Sequence, residues 1–418
     1  MSATLETEPS LSARHRQSKT QHGSSGLVST KRSDLWIEVL TDIEAVAEHC
    51  AAWQDLAANA AEPNPFYEPW MFLPAWEAFG NLATGLRCAL IWDRSPDSPQ
   101  PAILVGFAPL KPLRGFGGLP VRLQKMWQHD FCYLCAPLVR RGVEQEVLNA
   151  LLDWAAEDRQ GLLELRHVPN EGPLAQTMLD VTNQRGSHVH VVERFNRKML
   201  QRAESFGAYV SACVPGSSYR DSQRRMRSLA SRGRLETRFL SKDLPESCGP
   251  KMPADVWIRD FMRVEAAGWK GREKSALNSH PASQQYFENI CRAGFERGQM
   301  TMIGLYLDNR PVAMCCNLSS GEGAFAFKTG FDEEFGKYSP GILVEFENIR
   351  LFHERPVIRW IDSCAGAHHS ALARLWNGQR TIQKLLISPG RWWDNIAIES
   401  IAALAALRRA CRPVKSRP

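Results

Sequence analysis

Apolar residues recur at two different periods along the first half of the chain, and together they predict one mixed α/β lobe. Short apolar runs predict strands at 35–40, 87–92, 102–110, 162–167 and 188–192. Apolar residues at helical spacing predict helices at 43–50, 72–79, 145–156 and 173–184. Strands that alternate with helices in this way are typical of a sheet covered by helices.

A second group of elements begins after a crossover near 195–216. Helical spacing predicts a basic helix at 220–234 and further helices at 257–267, 284–297 and 342–353. Apolar runs predict strands at 300–307, 312–318, 324–331 and 357–363. The pattern therefore predicts a mixed α/β (α+β) protein with one lobe at 34–200, a second at 201–388, and a C-terminal helix and basic tail at 389–418.

Composition limits the classes of protein to consider. Residues 1–33 have few large apolar side chains and are predicted to form a disordered tail. The net charge of +6 over 418 residues is too mild to indicate DNA binding. No apolar run approaches the length of a membrane span, and the start lacks the apolar core of a secretory signal, so we expect a cytoplasmic protein. The eleven cysteines are then expected to be reduced thiols.

Candidate chemistry concentrates where the last strand of the predicted meander runs into a helix. Ser339 suits the N-cap, Pro340 the first helical position, and Gly341 would let a ligand approach the backbone before Ile342. A helix N-terminus attracts phosphate, and Lys337 adds a formal positive charge. The same residues would also start any helix well, so both interpretations stay open at this point.

Several segments in the second half resemble one known family. Residues 328–332 (KTGFD) followed by 338–341 (YSPG) resemble the signature of GNAT-type acyltransferases of the CelD/BcsL group, which is associated with cellulose biosynthesis. Residues 265–271, the basic helix at 224–233 and residues 360–366 fit the same resemblance. These proteins are relatives of the FemAB aminoacyltransferases.

The resemblance implies two tandem GNAT-like lobes, each a mixed sheet flanked by helices, with the first lobe degenerate. It implies that the sheet of the second lobe splays apart between its central strands. An acyl-CoA donor, with acetyl-CoA favoured, would then bind there with its pyrophosphate at Lys337 and 339–342. Most GNAT enzymes have a Q/R-x-x-G-x-G/A loop at this place, and this chain departs from it. The acceptor would be a small molecule, such as a sugar or an envelope-polysaccharide precursor.

Transfer of an acyl group needs a base for the acceptor and an acid for the leaving thiolate. Asp332, Glu265 and Asp362 are the candidate bases, although each could equally be a surface carboxylate or a cap. Tyr338 could protonate the thiolate, but packing is the favoured interpretation. Lys328 follows an apolar strand and is expected to face the cleft.

Two further features have competing interpretations. Trp269 and Lys270 either line a substrate pocket or form a helix end with a buried indole. Cys132 and Cys135 form an isolated C-x-x-C pair, but a structural zinc site needs about four ligands, so no metal is predicted.

Two other functions remain open. A FemAB-like transferase that uses aminoacyl-tRNA is favoured by the basic helix and the altered phosphate loop, but the chain has no sustained heptads that would form the coiled-coil arm of those proteins. A non-catalytic protein that keeps the fold is favoured by the same altered loop and by the uncertain base.

Overall fold

The computed structural model describes residues 26–29, 35–94, 99–157, 160–242, 252–268, 272–273, 276–366 and 374–411. The strands are β1 (Gly26–Ser29), β2 (Trp36–Leu40), β3 (Arg87–Trp92), β4 (Leu104–Phe116), β5 (Leu119–Met126), β6 (Leu138–Val139), β7 (Leu162–Pro169), β8 (Val189–Gln201), β9 (Leu235–Leu240), β10 (Met300–Leu307), β11 (Arg310–Ser320), β12 (Gly323–Phe331), β13 (Trp360–Asp362) and β14 (Gly378–Ile387).

The helices are α1 (Ile43–Glu48), α2 (Cys50–Ala58), α3 (Pro69–Ala78), α4 (Glu144–Ala156), α5 (Pro173–Arg185), α6 (Phe206–Cys213), α7 (Gly216–Ala230), α8 (Ala254–Ala266), α9 (Pro281–Glu296), α10 (Pro340–Glu354) and α11 (Trp392–Ala410). Short 3-10 helices lie at Pro65–Tyr67, Gly80–Ala83, Leu277–Ser279 and Glu333–Tyr338. Within these described elements, no helix combines the length and the apolar content that crossing a bilayer requires.

All fourteen strands form one sheet, in the order β1-β2-β3-β4-β5-β7-β14-β8-β13-β12-β11-β10-β9, with β6 beside β4. Each half contains an antiparallel meander that ends in one parallel pair, β5 with β7 and β12 with β13. The crossover that joins each parallel pair contains a helix, α4 in the first half and α10 in the second. The order of elements is therefore repeated, and the predicted mixed α/β architecture is confirmed.

The two halves are joined through exchanged strands. Strand β14, from the C-terminal half, lies between β7 and β8 of the first half, and β8 in turn pairs with β13. The hydrogen-bonded ladder is thus continuous across the predicted boundary at residue 200. Residues 26–29, inside the segment predicted to be a disordered tail, form β1 against β2.

The aromatic segment after α2 packs the first half against the second. Asn64 caps this turn, because its side-chain oxygen accepts the N–H of Phe66 at 3.2 Å. The ring of Phe66 then lies 5.5 Å from that of Phe325 on β12. Glu68, also buried, accepts from Trp70 Nε1 at 2.7 Å and from Gln299 Nε2 at 3.0 Å. One short segment therefore joins the two halves by apolar and polar contacts.

Candidate active site

The second half has an opening in its sheet between β12 and β13. These parallel strands share only three residue pairs, from Gly323 beside Trp360 to Phe325 beside Asp362. Strand β12 then continues to Phe331, whereas β13 ends at Asp362. The pairing between the two strands therefore ends at this point, which is where the resemblance implies an opening.

A β-bulge lies at the edge of that opening. Strand β11 pairs Cys316 with Lys328 and Asn317 with Ala326, which leaves Phe327 as an extra residue on β12. A bulge interrupts the ladder and changes the direction of the side chains that follow. Phe327 and Lys328 consequently both contact groups on the α8 side of the sheet.

The bulge brings together two of the predicted site residues. Lys328 Nζ lies 3.8 Å from Glu265 Oε1 on α8 and 4.7 Å from the centre of the Phe131 ring. Glu265 is buried, and its second carboxylate oxygen accepts the N–H of Leu277 at 2.9 Å. A β-carbon on Gly330 would lie 2.9 Å from the Cα of Glu265, so only glycine lets α8 approach β12 this closely.

A second group of residues surrounds a cavity at the N-terminus of α10. The cavity has a volume of about 330 Å³. Its lining residues are Ser218, Asp221, Ser222, Arg225, Ser339, Ile342, Arg374 and Leu375. Arg225 on the basic helix α7 donates a hydrogen bond to Ser339 Oγ and lies 2.7 Å from a carboxylate oxygen of Asp221. The cavity therefore combines a helix N-terminus with two arginines.

Ser339 and Gly341 of the predicted phosphate loop have structural roles that differ from the expected ones. Ser339 occupies the N-cap position, but its Oγ makes no capping bond and its backbone is left-handed, with φ of 51°. A β-carbon on Gly341 would lie 3.2 Å from a ring carbon of Phe331. The glycine therefore permits close helix–strand packing, and Ile342 and Ser339 are the loop residues that line the cavity.

The remaining loop residues lie to one side. Pro340 is the buried first residue of α10. Tyr338 is buried in an apolar cluster with Leu343 and Leu229, which agrees with the packing interpretation. Lys337 is exposed, with its Nζ 4.9 Å from the centre of the Tyr338 ring.

The other two candidate bases are bound to arginines. Asp332 accepts a hydrogen bond from Arg310 and caps the following 3-10 helix by accepting the N–H of Glu334 at 3.0 Å. Asp362 is fully buried, forms ion pairs with Arg197 and Arg380, and accepts the N–H of Cys364. The structure thus brings Glu265, but neither aspartate, beside Lys328.

Sequence reasoning missed a buried carboxyl group beneath the cavity. Burial raises the pKa of Glu345 to about 7, although Trp376 Nε1 donates to it at 2.8 Å and Asn348 Nδ2 at 3.1 Å. Trp376 follows Leu375, whose carbonyl oxygen accepts from the Tyr209 hydroxyl at 2.6 Å. This network holds one wall of the cavity in place. In the sequence, the buried carboxyl group is indicated only by a glutamate among the apolar residues of a helix.

The last sequence candidates add little to the site. Trp269 and Lys270 lie outside the described residues. Cys132 and Cys135 are buried, with their sulfur atoms 3.6 Å apart.

Comparison with known proteins supports the resemblance over the second half. Residues 217–369 match the family model described as the acetyltransferase (GNAT) domain. This segment includes the opening, the bulge and six of the eight residues that line the cavity. The narrower CelD/BcsL assignment stays a prediction, and no curated protein matches the chain.

Solved structures extend the likeness to the first half. FemX is 11% identical with a TM-score of 0.51, and the match covers 84% of this chain and 98% of FemX. The C-terminal domain of a putative lysylphosphatidylglycerol synthetase from Agrobacterium fabrum is 11% identical with a TM-score of 0.47, over 87% of this chain and 95% of that domain. A tandem GNAT protein from the clavulanic acid biosynthesis pathway is 14% identical with a TM-score of 0.39, over 84% and 98%. At these identities the FemX match is evidence for the fold alone.

Proposed function

We propose that this protein transfers an acyl group from an acyl-CoA to an amine or hydroxyl of a small molecule. The observation that carries the proposal is the cavity at the N-terminus of α10, where Arg225 and Arg374 outnumber the one lining carboxylate, Asp221, and leave a net positive charge beside Ser339. The diphosphate of CoA is an anion of the kind that helix N-termini and arginines bind. Residues 217–369, which match the GNAT domain model, include six of the eight residues that line this cavity; Arg374 and Leu375 follow the matched segment.

In the proposed reaction, the acceptor attacks the thioester carbonyl carbon in the opening between β12 and β13. The acceptor proton passes to Glu265, the C–S bond breaks, and the thiolate leaves with the electron pair. Lys328 Nζ lies 3.8 Å from Glu265 Oε1 and provides a positive charge beside the carboxylate that accepts the proton. We propose a backbone N–H at the Phe327 bulge, where the register with β11 shifts, as the donor that stabilises the developing oxyanion. An envelope-polysaccharide acceptor and a cytoplasmic location stay predictions.

The test is donor binding, measured by thermal shift and isothermal titration calorimetry with CoA and acetyl-CoA. Arg225→Ala should weaken binding about tenfold or more, because a hydrogen bond to a charged group contributes about 1.5–3 kcal/mol. The matched control is Arg224→Ala, which removes the neighbouring arginine of α7, whose side chain is 74% exposed. Equal affinity in both variants, or no binding of either donor to the wild type, would overturn the proposal.

A second candidate is an aminoacyl-tRNA-dependent transferase. It is favoured by the FemX-like fold and by the basic helix α7, which borders the cavity. Under this alternative the wild type would bind aminoacyl-tRNA with a strong dependence on salt and would not bind CoA.

A further inference from the structure

Five basic side chains lie along the seam where β5, β7, β14 and β8 run side by side. We call them the cationic strip, and they are Lys125, Arg166, Arg197, Arg380 and Lys384. The strip is partly open to solvent, because Arg166, Lys384 and Arg380 expose 26%, 17% and 11% of their side chains. It lies in a sheet region that joins the two halves.

At one end of the strip two arginines are direct cross-strand neighbours. Arg380 on β14 is opposite Arg197 on β8, an arrangement that is destabilising for like charges. Both form ion pairs with a single carboxylate, that of Asp362. The Nε atoms of both arginines are buried without a hydrogen-bond partner among the described residues. This end therefore keeps donor capacity that Asp362 does not use.

At the other end one carboxylate is shared in the same way. Glu164 Oε1 lies 3.3 Å from Arg166 Nε and 3.3 Å from Lys384 Nζ. Lys125 forms no ion pair within the described part of the chain. Four of the five cations thus share two carboxylates. Two more carboxyl groups lie nearby, Glu193 opposite Lys384 on β8 and Glu62, which interacts with Arg380, so five cations face four carboxyl groups.

Neighbouring groups respond to this excess of positive charge. Burial, and then Arg197, Arg166 and Lys384, lower the pKa of His167 to about 4, so this histidine is neutral at pH 7. Burial and the nearby Arg166 also lower the pKa of Lys125. Cations that repel one another in a partly buried place favour the binding of an anion.

The strip and the donor cavity lie on opposite faces of the sheet. Ile361 packs with Phe346 and Ile349 of α10, the helix whose N-terminus forms the donor cavity. Because side chains alternate along a strand, the next residue, Asp362, points to the other face, where it binds the strip. A phosphate in the donor cavity is therefore not at the strip.

The strip also approaches the opening from its own face. Arg197 donates to the carbonyl oxygen of Tyr133 at 2.9 Å, and the Tyr133 ring lies 5.8 Å from that of Phe327 at the bulge. Phe327 precedes Lys328, the partner of Glu265. A ligand held at the strip would thus reach the opening from the side of the proposed base.

We propose that the cationic strip binds an anionic group, a phosphate or a carboxylate, of the acyl acceptor. This inference rests on the proposed function, and it identifies the acceptor as an anionic molecule. The donor enters from the α10 face and the acceptor from the face of the strip, and they meet between β12 and β13.

The test uses inorganic pyrophosphate and succinate as probes in isothermal titration calorimetry, with Lys125→Gln and Lys384→Gln. Each variant should weaken binding of the preferred probe about tenfold, the effect of one lost charge-assisted bond. Lys125→Gln should also leave Tm unchanged or raise it, because it removes a cation that repels Arg166. If Lys125 had only a structural role, its replacement by glutamine would lower Tm. The matched control, Lys198→Gln, is next to Arg197 on β8 and points to the opposite face.

The outcomes separate this inference from the proposed function. Two outcomes would overturn the strip as an anion site without affecting the evidence for CoA binding. One is pyrophosphate binding that Arg225→Ala abolishes and Lys125→Gln leaves intact. The other is that neither probe binds. Probe binding that depends on Lys125 and Lys384 in a protein that does not bind CoA would support an anion site and refute the acyl-CoA reaction. Equal losses with Lys198→Gln would show a general charge effect and would also overturn the strip.

Discussion

Replacing Glu345 by glutamine should change how the stability of the protein depends on pH. Glu345 is 4% exposed, and burial raises its pKa from 4.5 to about 7. In the unfolded chain the carboxyl group ionises near its ordinary pKa, whereas in the folded protein it keeps its proton up to about pH 7. The free energy of unfolding of the wild type therefore falls as pH rises from 4.5 to 7, and this contribution is constant above that.

The size of the effect follows from the two pKa values. One pKa unit is about 1.4 kcal/mol, so the full rise corresponds to about 3 kcal/mol. Between pH 5 and pH 8 the wild type should lose about 2–3 kcal/mol that Glu345→Gln keeps. Glutamine retains an oxygen to accept from Trp376 and Asn348, so any cost of the new amide should not depend on pH.

The assay is equilibrium unfolding in urea, followed by circular dichroism at several pH values for both proteins. Glu354→Gln, an exposed residue of the same helix, is the control for removing one charge. The difference in stability between Glu345→Gln and the wild type should grow with pH and then level off near pH 7. If the difference in the free energy of unfolding between the two proteins were constant from pH 5 to pH 8, the argument that Glu345 is neutral in the folded protein would be refuted.

Two further predictions concern the contact between α8 and β12. Gly330→Ala should lower the free energy of unfolding by about 1–3 kcal/mol, because the new β-carbon would meet the backbone of Glu265. Gly341→Ala should lower it less, because the ring of Phe331 can shift. Equal urea midpoints for the two variants would contradict this prediction. Lys328→Met should lower the free energy of unfolding by about 3 kcal/mol, because it removes the cation beside the buried carboxylate of Glu265. Adding Glu265→Gln should recover most of that loss, and no recovery in the double variant would show that the pair does not interact.

Three strands of the second meander, β10, β11 and β12, and the helix that follows them could be predicted from the sequence because their signal is local. The strand predicted at 300–307 has those bounds in the structure, and the helix predicted from residue 342 begins at Pro340. Apolar runs bounded by turn residues, and a serine followed by a proline, depend only on neighbouring residues.

The contacts that form the candidate site could not be predicted in this way. The bulge at Phe327 is visible only from its pairing with β11, and it decides that Lys328 meets Glu265. The bond between Arg225 and Ser339 joins residues 114 positions apart. Such contacts depend on how distant elements pack, and no local pattern encodes them.

Two of the strands that carry the strip were predicted poorly. Strand β8 extends to Gln201, well beyond the run predicted at 188–192, and β14 was not predicted at all. Both contain many charged and polar residues, such as Arg197 and Lys384, because much of each strand is not fully buried. Arg197 is buried opposite Arg380, and such a like-charge pair reduces stability unless another role retains it. Local rules tend to fail at functional sites, so this failure is itself an argument that the seam binds a ligand.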